Sequence, residues 1–120
     1  MQFPLQITFR NMEPSLALEA RIQVLAERLE RFSAHILSCQ VVVEAPHHQH
    51  HEQGALFEVR LAISVPGKEI VVGNTHGNDP AHENAYVALQ YAFRTARRAL
   101  QEYERIRRRA VKQHAQYQVA

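Results

Sequence analysis

The chain has 120 residues, 46% hydrophobic and 22% charged, with a formal net charge of +2; this suits one globular domain and leaves little room for two. No stretch approaches the roughly 18 continuous apolar residues of a membrane span, and the start MQFPLQITFR has neither the basic opening nor the apolar core of a secretory signal. A single cysteine, Cys39, excludes an internal disulfide and a cysteine-based zinc cage, so a cytoplasmic protein without a membrane partner is expected.

Phe3, Leu5, Ile7 and Phe9 alternate with Gln6, Thr8 and Arg10, the period-2 pattern of a strand with one buried face. Leu18, Ile22, Leu25, Leu29 and Phe32 then recur at helical spacing, so a helix is expected over 15–32, with Ser15 as N-cap and Glu19 in the first turn. Cys39, Val41, Val43 and Ala45 alternate as a second strand, in which Cys39 reads as a small buried hydrophobe. Phe57, Val59, Leu61, Ile63 and Val65 form a third. VPGK at 65–68 reads as a turn, with Gly67 free to adopt positive φ, and Ile70 and Val72 continue as a fourth strand. Strands two to four read as an antiparallel meander. Asp79 and Pro80 read as N-cap and first position of a second helix over 80–109, whose apolar stripe runs from Ala85 through Leu89, Phe93, Leu100 and Tyr103 to Ile106.

The expected architecture is α+β in the order β-α-β-β-β-α, a four-stranded sheet with two helices packed on one face. A single domain over 1–112 and a flexible polar tail over 113–120 are expected. The outward sheet face offers no aromatic side chains for base stacking.

The charges are segregated. From Arg94 to Lys112 eight basic residues meet two acidic ones, a net of +6, while the rest of the chain has six basic and ten acidic residues, a net of −4. At about 100° per residue, Arg94, Arg97, Arg98, Arg105, Arg108, Arg109 and Lys112 share an arc of about 120° opposite the apolar stripe, and Arg107 falls outside it. Such a concentration of like charge costs local helix stability, which a polyanionic partner would offset. Nearly all are arginines, whose planar fork matches phosphate oxygens. The first helix is polarised too, with Arg21, Arg28 and Arg31 on one flank and Glu19, Glu27 and Glu30 on the other. With both helices on one side of the sheet, the two arginine faces would meet across a groove. Tyr91 and Val87 lie on the arginine side of the second helix near its start, where they either stack on a base or ribose or pack partly under a loop.

Nothing in the chain builds a catalytic motif: there is no P-loop, no GxSxG and no HExxH. Asp79, His82 and Glu83 read as helix-capping and first-turn residues. PHHQHHE at 46–52 reads as the tip of the hairpin between the second and third strands. There His47, His48, His50 and His51 form at most a weak metal site, or a pH-responsive loop that gains charge as pH falls.

PLQITFRNMEPSLALEARI, CQVVVEAPH, VPGKEIVV and above all AYVALQYAFRTARRALQEYERIRRRAVKQH resemble the short ribosome hibernation-promoting factors, also called ribosome-associated translation inhibitors, over about residues 2–114. The resemblance implies a fold akin to double-stranded RNA-binding domains. It also implies binding to the small ribosomal subunit and its RNA near the decoding region, excluding messenger and transfer RNA while the cell is not growing. By position it assigns RNA contact to Arg28, Arg31, Arg94, Arg97, Arg98, Arg105, Arg108 and Arg109. No catalysis, cofactor or small-molecule substrate is implied, and a second hibernation factor is a candidate further partner. The dimerisation domain of the long form is missing from the sequence, so ribosome pairing by this chain alone is not expected. Two other readings compete: a metal- or pH-responsive module built on the histidine loop, and a general DNA- or RNA-binding regulator using the same arginines.

Overall fold

A computed structural model describes residues 1–46, 56–73 and 84–117, with residues 112–117 described by backbone alone. The elements follow in the order β1 (Leu5–Arg10), α1 (Leu16–Leu29), β2 (Ser38–Glu44), β3 (Glu58–Val65), β4 (Lys68–Gly73) and α2 (Ala85–Tyr117). The four strands form one sheet in the order β1-β2-β3-β4. β2, β3 and β4 pair antiparallel, as the meander expectation required. β1 lies parallel to β2, a pairing that needs a crossover connection, and α1 supplies it.

The alternation in each strand decides which face is covered. Val41, Leu61 and Ile70 and their alternating neighbours Val43, Val59 and Ile63 are buried under the helices. Gln6, Gln40, Ala62 and Val71 line up in register on the other face. That outward face carries no aromatic side chain among the described residues. Cys39 is buried beneath the helices, and burial pushes its thiol up to about 12, so it acts as a small hydrophobe and not as a thiolate.

Local chemistry sets the element boundaries. The Ser15 hydroxyl accepts from the Leu18 amide at 3.2 Å and caps α1. At the other end the amides of Glu30, Arg31 and Phe32 turn to carbonyls three residues back, so the chain expected to stay helical to Phe32 tightens after Leu29. Asn11 takes φ of 60°, a conformation asparagine tolerates, and its side-chain amide donates to the Ala45 and Pro46 carbonyls, tying the end of β1 to the end of β2. Gly67, at φ of 85°, makes the tight β3–β4 turn that few other residues would allow.

The second helix departs from expectation at its C-terminal end. Its described part begins at Ala85, where Asn84 caps it: the Asn84 side-chain oxygen accepts from the Tyr86 amide at 2.9 Å. Asp79, Pro80, His82 and Glu83 lie outside the described residues. It continues to Tyr117, past Arg109, because alanine, glutamine and lysine sustain a helix and no glycine or proline intervenes. Of the tail expected over 113–120, residues 113–117 are therefore helical in backbone, and 118–120 lie outside the described residues. Ala88, Ala92 and Ala96, all fully buried, recur every fourth residue and let α2 settle close against its neighbours. Among the residues of α2 whose side chains are described, Leu100 is the last fully buried hydrophobic one. Ile106, expected on the buried stripe, is 53% exposed because α2 runs on beyond the cover of the sheet.

Candidate nucleic-acid interface

The two helices pack on each other as well as on the sheet, and the seam between them opens to solvent as a groove of about 370 Å³. Its floor is apolar, made by Leu25, Leu29 and Phe93, each more than nine-tenths buried. Its rim carries Arg28 from α1, Arg31 from the turn that follows it, and Arg94 and Arg97 from α2. No carboxylate lines it among the described residues. The amphipathic pattern of each helix positions these charges: burying Leu25 and Leu29 turns Arg28 and Arg31 outward, and burying Phe93 and Ala96 does the same for Arg94 and Arg97. Arg28 also sits in the last turn of α1, where the helix dipole favours a cation. The Arg97 guanidinium lies over the Phe32 ring, 5.5 Å from its centroid, within cation–π range.

The other arginines have different surroundings. Arg98 and Arg109 are exposed away from the groove. Arg105 donates twice to the Glu102 carboxylate one turn back, at 3.0 and 2.6 Å. This hydrogen bond, with the charge of Arg105, holds the Glu102 carboxyl below the usual carboxylate range, and the Arg105 guanidinium is shifted upward in return. Arg107 donates to the Tyr103 hydroxyl at 3.1 Å, and that hydroxyl donates to the Pro66 carbonyl at 2.8 Å, pinning the β3–β4 turn to α2. Arg108 borders a separate depression with His35 and Val111. Tyr91 lies exposed near the start of α2. Lys112 is placed by its helical backbone only, and His47, His48, His50 and His51 lie outside the described residues.

One buried cluster gave no sign of itself in the sequence. Glu104 is only 7% exposed, and its carboxylate accepts from the Ser33 hydroxyl at 2.5 Å and from His35 Nδ1 at 2.7 Å. The Ser33 hydroxyl in turn accepts from the His35 amide at 3.1 Å. Burial pulls the Glu104 carboxyl upward, but the bonds from Ser33 and His35 and the charges of His35 and Arg107 outweigh it and hold the group below its ordinary value. The arrangement is no catalytic triad, since serine and histidine both donate to the same oxygen and leave the histidine unable to take the serine's proton. It fixes the α1–β2 loop, and with it the end of α1, to α2. In the sequence Glu104 is only one of the two acidic residues, with Glu102, among the basic run from Arg94 to Lys112.

Solved structures with this arrangement define a class of small domain, a four-stranded sheet carrying two helices on one face. The N-terminal domain of Protein Y from Thermus thermophilus superposes with a TM-score of 0.63 at 16% identity, covering 82% of this chain and 94% of its own. A ribosomal subunit interface protein from Coxiella burnetii does so with a TM-score of 0.58 at 14% identity, covering 84% of this chain and 97% of its own. At such identities the likeness is one of fold. The sequence itself goes further: over residues 5–108 it matches the Sigma 54 modulation protein / S30EA ribosomal protein family, and the chain belongs to that family. The family comprises ribosome-associated modulation proteins and is not a family of enzymes. No curated protein matches the sequence significantly. Among the described residues, no helix is long and apolar enough to cross a membrane.

Proposed function

We infer that this protein is a cytoplasmic hibernation factor that binds ribosomal RNA on the small subunit near the decoding region and blocks messenger and transfer RNA by occupancy. The observation that carries this reading is the convergence of Arg28, Arg31, Arg94 and Arg97 on one groove that no carboxylate lines among the described residues. Four guanidinium groups held together without counter-charges in the groove lining repel one another, and phosphate oxygens relieve that repulsion with charge-assisted, bidentate hydrogen bonds. The rest of the arc, Arg98, Arg105, Arg108, Arg109 and Lys112, extends the basic track along α2 towards its C-terminus. Family membership points to the ribosome, and the Coxiella burnetii neighbour is itself called a ribosomal subunit interface protein.

The test is a competition on purified small subunits. Adding the protein should displace a labelled messenger fragment and a transfer RNA bound in its reading site, with a midpoint that tracks the protein's own affinity for the subunit. Tight binding that leaves both ligands in place would refute occupancy as the mechanism.

A further inference from the structure

The four groove arginines are not equivalent. Arg28, Arg31 and Arg94 stand at the rim, whereas the Arg97 guanidinium lies over a phenyl ring. Phe32 is half-buried at the end of the tightened turn that follows α1. The Glu104 cluster anchors the next residue, Ser33, to α2. The ring is therefore a fixed support, and the Arg97 guanidinium lies within cation–π range of it. Its outer side remains exposed to the groove.

A phosphate clamp gains little from such a support, because phosphate is met by the edge of the guanidinium fork. A planar base is met by its face, and arginine planes are among the surfaces on which unpaired RNA bases stack. The groove has the other parts such a site requires. Its volume of about 370 Å³ falls within the range of pockets that enclose a small planar ligand. Its floor is apolar, and Gln90 on its lining brings an amide able to donate to and accept from a base edge. A duplex keeps its bases stacked inside and would meet only the charges.

The geometry points to Arg97 as a base-stacking platform, so that the groove receives an unpaired nucleotide of an RNA strand while Arg28, Arg31 and Arg94 hold the flanking phosphates. This rests on the RNA-binding reading above and adds the class of RNA to it.

Fluorescence anisotropy tests it with two labelled probes, a short unstructured RNA strand and the blunt duplex formed with its complement, each titrated over a range of salt. R97K keeps the charge and loses the plane. It should weaken binding of the strand about tenfold, as expected for one lost stacking contact, change duplex binding less than about twofold, and leave the salt slope of the strand intact. F32L, which removes the supporting ring and keeps the site apolar, should shift the same preference in the same direction. R94Q should weaken both probes and flatten the salt slope by about 0.7 for the strand. Thermal melting of each variant separates a loss of fold from a loss of contact. R97K and F32L that match wild type on the strand, or that weaken strand and duplex equally, overturn the inference even where R94Q supports RNA binding. Wild type that binds neither probe overturns the functional reading and this inference with it. Displacement of the strand by micromolar ATP overturns the assignment to RNA and makes the occupant a free nucleotide.

Discussion

The arginines of α2 meet two environments. Arg94 and Arg97 open onto the groove, joined there by Arg28 from α1 and Arg31 from the turn after it, and by no carboxylate among the described lining residues. A few turns on, Arg105 is gripped by Glu102 and Arg107 is engaged with Tyr103. A phosphate approaching the first pair would meet no carboxylate among the described lining residues, whereas one approaching Arg105 would compete with Glu102. Net positive charge per turn, which is all a helical wheel reports, therefore overstates the distal half of the stripe. What separates the two regions is the partner each guanidinium already has.

The largest expected effect comes from reversing charge in the groove. R28E/R94E/R97E removes several charge-assisted contacts and adds repulsion, so affinity for small subunits measured by filter binding should fall at least about a hundredfold. The same number of reversals at Arg105, Arg108 and Arg109 should cost markedly less, and equal losses would dissolve the distinction between the regions.

Next in size is the cluster that holds the groove's end in place. E104A strands the Ser33 and His35 donors, and chemical denaturation should register a loss of about 1–3 kcal/mol. The folded Glu104 carboxyl titrates below its unfolded value of about 4.3. Its contribution is thus complete above that pH and is lost as pH falls through the lower folded value. The E104Q amide does not titrate, so stability measured between neutral and strongly acidic pH should depend less steeply on pH than in wild type.

Two smaller effects sharpen the distal side. Y103F removes the hydroxyl that bonds Pro66 and receives Arg107, and should lower stability by about 1 kcal/mol with little effect on small-subunit affinity. E102Q weakens the grip on Arg105 and should tighten binding by about twofold at low ionic strength, an advantage that fades as salt is raised.

Periodicity located the strands, both helices and the covered faces, because alternation and helical spacing are local properties that the core only has to accept. It also told that arginines from two helices would share a seam, since each apolar stripe determines where the opposite charges point. It failed where a decision is made by distant chain. Ile106 continues the apolar stripe of α2 faithfully yet is exposed, since a stripe says which side faces inward and not where the sheet stops. Glu102 and Glu104 read alike beside the basic arc. One grips an arginine in solvent and the other is buried against Ser33 and His35, which lie some seventy positions earlier in the chain.

The salt dependence of small-subunit binding tests the central claim most directly, because its slope reports phosphate contacts. Wild type, R28Q/R94Q and R105Q/R108Q would be compared in one series. Losing two contacts in the groove should flatten the slope by roughly 1.4 to 1.8, depending on whether the RNA is single- or double-stranded, and the distal pair should flatten it by less than about one. Equal flattening by the two pairs, or a larger change from the distal pair, would contradict the assignment of RNA contact to the groove.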